Sequence, residues 1–182
     1  IYSKLNTMPI SKPHVSTIFP SLISAWFTYF IHEVFHWLGY TYFKIKTLFK
    51  LNTIELLDQS QFISDSKLLI IQGAGVFITF FQALCCYLFL RKTKNIWLNA
   101  LLISAFELRF LAGILNFLNP SDEGKMSLIL NLPKHTISVI VISVMGGFIY
   151  QIIITNKPPK KEFLSTLLFV FISLYIFSLI SI

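Results

Sequence analysis

The chain has 182 residues, 55% of them hydrophobic and 13% charged, with a mean hydropathy of +0.72. A soluble globular domain carries about 25% charged residues, so that class is excluded, and a chain with 19 Phe has too much apolar surface to stay disordered. The net charge of +7 sits in short basic clusters between apolar runs, a pattern that suits membrane orientation and headgroup contact and not a nucleic-acid surface.

Five apolar segments, at about residues 17–42, 69–90, 95–118, 126–155 and 163–182, approach the roughly 20 residues that cross a bilayer core as a helix. They predict an all-α membrane protein, a compact bundle of about five transmembrane helices, with residues 1–182 forming a single multi-pass domain in the lipid bilayer. Most connections are short enough to force neighbouring helices antiparallel.

The first segment carries His32-Glu33-Val34-Phe35-His36. On a helix, four residues advance about 400°, so both imidazoles project from one face, one turn apart, which is a geometry for two nitrogen ligands on one zinc ion. Glu33 lies beside them, placed to accept a proton from an attacking water. Such groups in an apolar helix face a partner, an ion or a water-filled cavity; the plainer alternative is an interfacial helix end whose polar groups touch headgroups beside Trp37 and Tyr40.

One connection is long, an extramembrane stretch over residues 41–68. Its loose alternation in Phe43-Lys44-Ile45-Lys46 and Phe49-Lys50-Leu51-Asn52 predicts a strand or small β-hairpin between the first and second helices, at the membrane surface and near the mouth of the metal site. The second segment opens on Gln72-Gly73-Ala74-Gly75 and holds the neighbouring Cys85 and Cys86, which read as packing residues. Glu107 and Arg109 lie mid-way along the third segment. Positions two apart on a helix point about 200° from each other, so each needs a partner elsewhere, and for Arg109 a structural ion pair with Asp122 or Glu123 is the simplest reading.

The turn after the third segment is Asn119-Pro120-Ser121-Asp122-Glu123-Gly124, in which Ser121 reads as a helix N-cap. Asn116 and Asn119 either satisfy the broken backbone here or donate to a substrate carbonyl. The fourth segment contains Pro133-Lys134-His135, which predicts a kink or a break into two pieces. His135 reads as interfacial, and His14 precedes the first helix with no assigned role.

Taken together, H-E-x-x-H in an early apolar helix, a small-residue patch opening the next one and an Asn-Pro-x-Asp element followed by Gly124 resemble the site-2 protease family of intramembrane zinc metalloproteases. The likeness spans about residues 25–125. It implies a zinc ion held by His32, His36 and, as third ligand, Asp122. This chain has Asp-Glu-Gly where that family commonly has Asp-Gly, so Glu123 is an alternative. Topology agrees with a ligand from this turn, because one crossing back returns the end of the third segment to the side where the first one ends. Glu55 is a second alternative, at a spacing after His36 that resembles soluble zincins.

The resemblance implies a zinc-dependent intramembrane endopeptidase, with Glu33 as catalytic residue, Zn2+ as cofactor and a membrane-protein or membrane-associated peptide as substrate. A divalent metal transporter and a catalytically inactive membrane scaffold are the alternatives from other classes. Substrate identity, orientation and oligomeric state are not encoded in these features.

Overall fold

A computed structural model of the chain describes residues 15–50, 53–58 and 62–180. His14 and the turn residues Leu51 and Asn52 lie outside the described residues. The order is α1 (Val15–Tyr42), β1 (Thr47–Lys50), β2 (Thr53–Leu56), α2 (Asp65–Leu90), α3 (Ile96–Leu115), α4 (Asp122–Ile129), α5 (Thr136–Asn156) and α6 (Lys160–Ile180). Among the described residues there are thus six helices where five segments were expected. The extra one arises because the fourth segment breaks in two.

The break has a local cause. Asn131 adopts a left-handed conformation with φ 56°, Leu132 N–H donates to the Ser127 carbonyl at 2.8 Å and Asn131 N–H to that of Leu128 at 3.0 Å. This pair of bonds is the Schellman closure of a helix end, and Pro133 then prevents the helix from resuming at once. Lys44, also at φ 56°, closes α1 in the same way, with Ile45 N–H on the Tyr40 carbonyl and Lys44 N–H on that of Thr41.

Four helices, α1, α2, α3 and α5, are long and apolar enough to cross a membrane. α6 has 21 residues and no charged side chain after Glu162. α3 is the axis of the bundle and touches every other helix. Its sequence allows this because Ala100, Ala105 and Ser104 are small and buried, so neighbours approach it from all sides. One apolar cluster, including Ala83, Leu102 and Met145, joins α2, α3 and α5. A second, including Ala25, Ile103 and Val170, joins α1, α3 and α6.

Buried hydroxyls within helices are satisfied locally. Ser21, Thr28 and Thr79 each donate to the carbonyl four residues earlier, at 2.7 to 3.1 Å, so no unpaired hydroxyl is left in the packed interior. Gln82 binds three helices together, its amide donating to Thr28 Oγ1 at 2.7 Å and to the Leu101 carbonyl at 3.0 Å.

The expected hairpin is present as an antiparallel pair with Phe49 opposite Ile54 and Lys50 opposite Thr53. It packs against α1. Phe49 packs edge-on between Phe30 and Trp37 of α1, with ring centroids 6.0 and 6.1 Å away. The hairpin therefore folds back along α1 to the level of His32 and His36, with Phe30 about 160° from His32 and about 120° from His36 around the helix.

Candidate metal centre

α1 supplies the first two groups. The His32 and His36 rings stand 4.4 Å apart at 82°, with their Nε2 atoms separated by 3.0 Å. The first turn of α4 supplies the third. Asp122 Oδ2 lies 3.0 Å from His32 Nε2 and 3.3 Å from His36 Nε2. Each of the three residues offers a ligand atom within 4.8 Å of the others, both histidines are buried, and the group can hold a metal ion. In a tetrahedral centre with bonds of about 2.1 Å, donor atoms sit about 3.4 Å apart, so the observed triangle needs to open by only a few tenths of an ångström. The donor set of two imidazoles and one carboxylate suits zinc chemistry better than that of magnesium or calcium, which take oxygen ligands.

The surrounding structure orients these groups. His36 Nδ1 is 2.8 Å from the Ile71 carbonyl and donates to it, which leaves Nε2 as the nitrogen facing the triangle. α2 can approach so closely because residue 75 is glycine. A Cβ on Gly75 would lie 2.5 Å from His32 Cε1 and 2.6 Å from His32 Nδ1, closer than atoms can stand. Burial would push the Asp122 carboxyl up, but the His36 and His32 imidazoles outweigh it and hold the group well below the usual carboxylate range.

Arg109 is 1% exposed and lies behind the triangle. Its Nη1 donates to Glu123 Oε1 at 3.0 Å, while Nη2 stands 3.2 Å from His32 Nε2. Nη1 also stands 3.6 Å from Asp122 Oδ2, so Arg109 faces both acids, but Asp122 is the one that reaches the imidazoles. Successive helical residues point about 100° apart, so once Glu123 turns to Arg109 on α3, Asp122 turns to α1. Glu123 is therefore not in the donor group. Glu55 is not in it either: it pairs with Lys50 across the exposed hairpin. Ser121 occupies the N-cap position of α4 but makes no side-chain cap bond, and its hydroxyl instead donates to Glu123 Oε2 at 3.3 Å.

Asn116 satisfies the broken backbone. Its Oδ1 accepts the Ser121 N–H at 2.5 Å and its amide donates to Ser138 Oγ at 2.7 Å, so one side chain ties the end of α3 to the Asp122 turn and to α5. Gly124 makes room for it, since a Cβ there would come within 2.9 Å of Asn116 Cγ. Asn119 is exposed. His135 stacks on Phe117 at 4.4 Å, away from the centre. Cys86 joins the apolar core and both cysteines are free. Glu107 is buried, and its Oε2 has no hydrogen-bond partner among the described residues.

Glu33 is half-buried, makes no hydrogen bond among the described residues and lies within electrostatic reach of His36, Asp122, Arg109 and Lys125. By helical period it points about 60° from His36 and about 60° from Phe30, between the donor face of α1 and the hairpin. Tyr40, read from sequence only as an interfacial aromatic, lies within reach of Asp122 and Glu33. The signal that would have found it is its position seven residues after Glu33, two turns along the same face.

Comparison of the chain with protein-family models, with curated proteins and with solved structures finds no match.

Proposed function

We propose that the protein is a multi-pass integral membrane, zinc-dependent endopeptidase of the site-2 protease type, hydrolysing a peptide bond in or near a transmembrane segment of a protein substrate. The observation that carries the reading is the convergence of His32 and His36 with Asp122, which lies 86 residues beyond His36, beside the Glu33 carboxylate, which has no hydrogen-bond partner among the described residues. His32, His36 and Asp122 would hold the ion. Zinc bound there supplies a Lewis acid that polarises the scissile carbonyl and acidifies water. Glu33 takes the proton of the attacking water and delivers it to the leaving amine. The Ile71 carbonyl fixes the His36 ring, and the Arg109–Glu123 pair anchors the first turn of α4 that carries Asp122.

A transmembrane substrate must be unwound to expose the bond. The hairpin and the histidines flank Glu33 on α1, and an extended segment added to the hairpin edge on that side would run past Glu33.

The test is zinc content by mass spectrometry beside cleavage of a membrane-embedded peptide in detergent. Glu33→Gln should keep its zinc and lose about 10²- to 10⁴-fold in hydrolysis, while Asp122→Ala should lose zinc. Parent-rate cleavage by Glu33→Gln would end the protease reading, and a parent protein free of zinc after metal-replete purification would end the zinc reading.

A further inference from the structure

The end of the bundle remote from the metal centre has chemistry of its own. A cavity of about 380 Å³ opens between the α2–α3 turn and the α5–α6 turn. These turns meet because the Asn156 amide donates to the Leu90 carbonyl at 2.7 Å. Lys94 and Lys157 line the cavity with Asn99, and Leu90 and Ile152 form its apolar wall. Neither lysine pairs with an acid among the described residues. The one acid of the lining, Glu162, is already engaged in other interactions. Lys157 closes α5 in a left-handed conformation, φ 47° and ψ 56°, so its backbone N–H is spent on Ile153.

Charge at the two ends differs. Residues 91–95 and 156–162 hold Arg91, Lys92, Lys94, Lys157, Lys160 and Lys161 against Glu162 alone. The metal-centre end has seven cations, Lys44, Lys46, Lys50, Lys67, Arg109, Lys125 and Lys134, but six acids, Glu33, Glu55, Asp58, Asp65, Asp122 and Glu123, offset them.

We infer that this cavity is a phosphate site and that it takes the headgroup phosphate of an anionic glycerophospholipid. Two unpaired lysines and an amide supply the anion chemistry, and the cavity opens at the ends of α2, α3 and α5, three helices long and apolar enough to cross a membrane, which is the level where headgroups lie. The inference rests on the membrane reading and not on the protease reading. Recovery of the chain in the membrane fraction checks the former separately, and zinc content checks the latter.

The experiment is native mass spectrometry of the full chain in detergent, titrated with phosphatidylglycerol or with phosphatidylcholine. The parent should retain phosphatidylglycerol in preference, and Lys94→Ala/Lys157→Ala should weaken that retention about 30-fold, each lysine near a lipid surface contributing about 5-fold. Lys94→Arg/Lys157→Arg should restore it, and Lys67→Ala/Lys134→Ala, at the other end, should leave it unchanged. Equal retention of both lipids, or parent-like retention by the double alanine variant, would overturn the site. Displacement of the lipid by millimolar inorganic phosphate would overturn the lipid as its source.

Discussion

Gly75 is the residue on which the donor triangle most directly depends, although it carries no chemistry. The methyl group of Gly75→Ala would fall 2.5 to 2.6 Å from the His32 ring, and α2 cannot withdraw easily because Gln82 holds it to α1 and α3. The imidazole must turn instead. Zinc affinity should drop about 10- to 100-fold, the range found when the groups that orient a ligand are disturbed, with the helical signal in circular dichroism unchanged. Unaltered zinc affinity would mean that the helices separate at no cost. Adjacent Asp122 and Glu123 illustrate what could and could not be read in advance. Their position after the third segment put one of them at the right end of the bundle, but the choice between them depends on Arg109 capturing Glu123 from a neighbouring helix. That is a long-range packing event with no local signature. His32 and His36 were legible because the helical period alone places them on one face.

At the level of elements, the two helix ends closed by left-handed residues make a test of backbone strain. Lys44 is exposed, at φ 56°, in a conformation that costs an L-residue about 1–2 kcal/mol, whereas glycine loses about 0.5–1 kcal/mol in chain entropy. Lys44→Gly should therefore stabilise the protein by about 0.5–1 kcal/mol, read as a higher thermal midpoint in detergent; a lower midpoint would show that the Lys44 side chain contributes something the backbone argument omits. The helices themselves were legible to within a few residues, since long apolar runs admit little else. Residues 116–118 were misassigned to the third segment because Asn116 looks like any helix-compatible polar residue until its amide is seen serving the turn and α5. The hairpin was legible from alternation, but its side of α1 was not, because Phe49 is placed by Phe30 and Trp37, both earlier in the chain.

For the molecule as a whole, a metal at the triangle would join α1 to α4 across a separation of 90 residues between His32 and Asp122. A ligand that binds only the folded state at 1,000 times its Kd adds about 4 kcal/mol. Chelation should accordingly lower the thermal midpoint of the parent by several degrees and leave that of Asp122→Ala where it is; an identical response in both would place the metal elsewhere. The buried charges of α3, Glu107 and Arg109, have a separate consequence, for the making of the protein if it enters a membrane. A basic residue at the centre of a nascent span costs about 2.5–3.5 kcal/mol at the translocon, Glu107 adds to that cost, and each Leu, Ile or Phe returns only about 0.3–0.6 kcal/mol. α3 thus enters the lipid poorly by itself, and Glu123, which neutralises Arg109, is synthesised 14 residues later. Chains truncated after residue 118 and released from the ribosome should leave α3 accessible to an aqueous labelling reagent, released chains truncated after residue 130 should protect it, and Arg109→Leu should protect the shorter chain as well. Biogenesis of this bundle would then wait on its fourth helix.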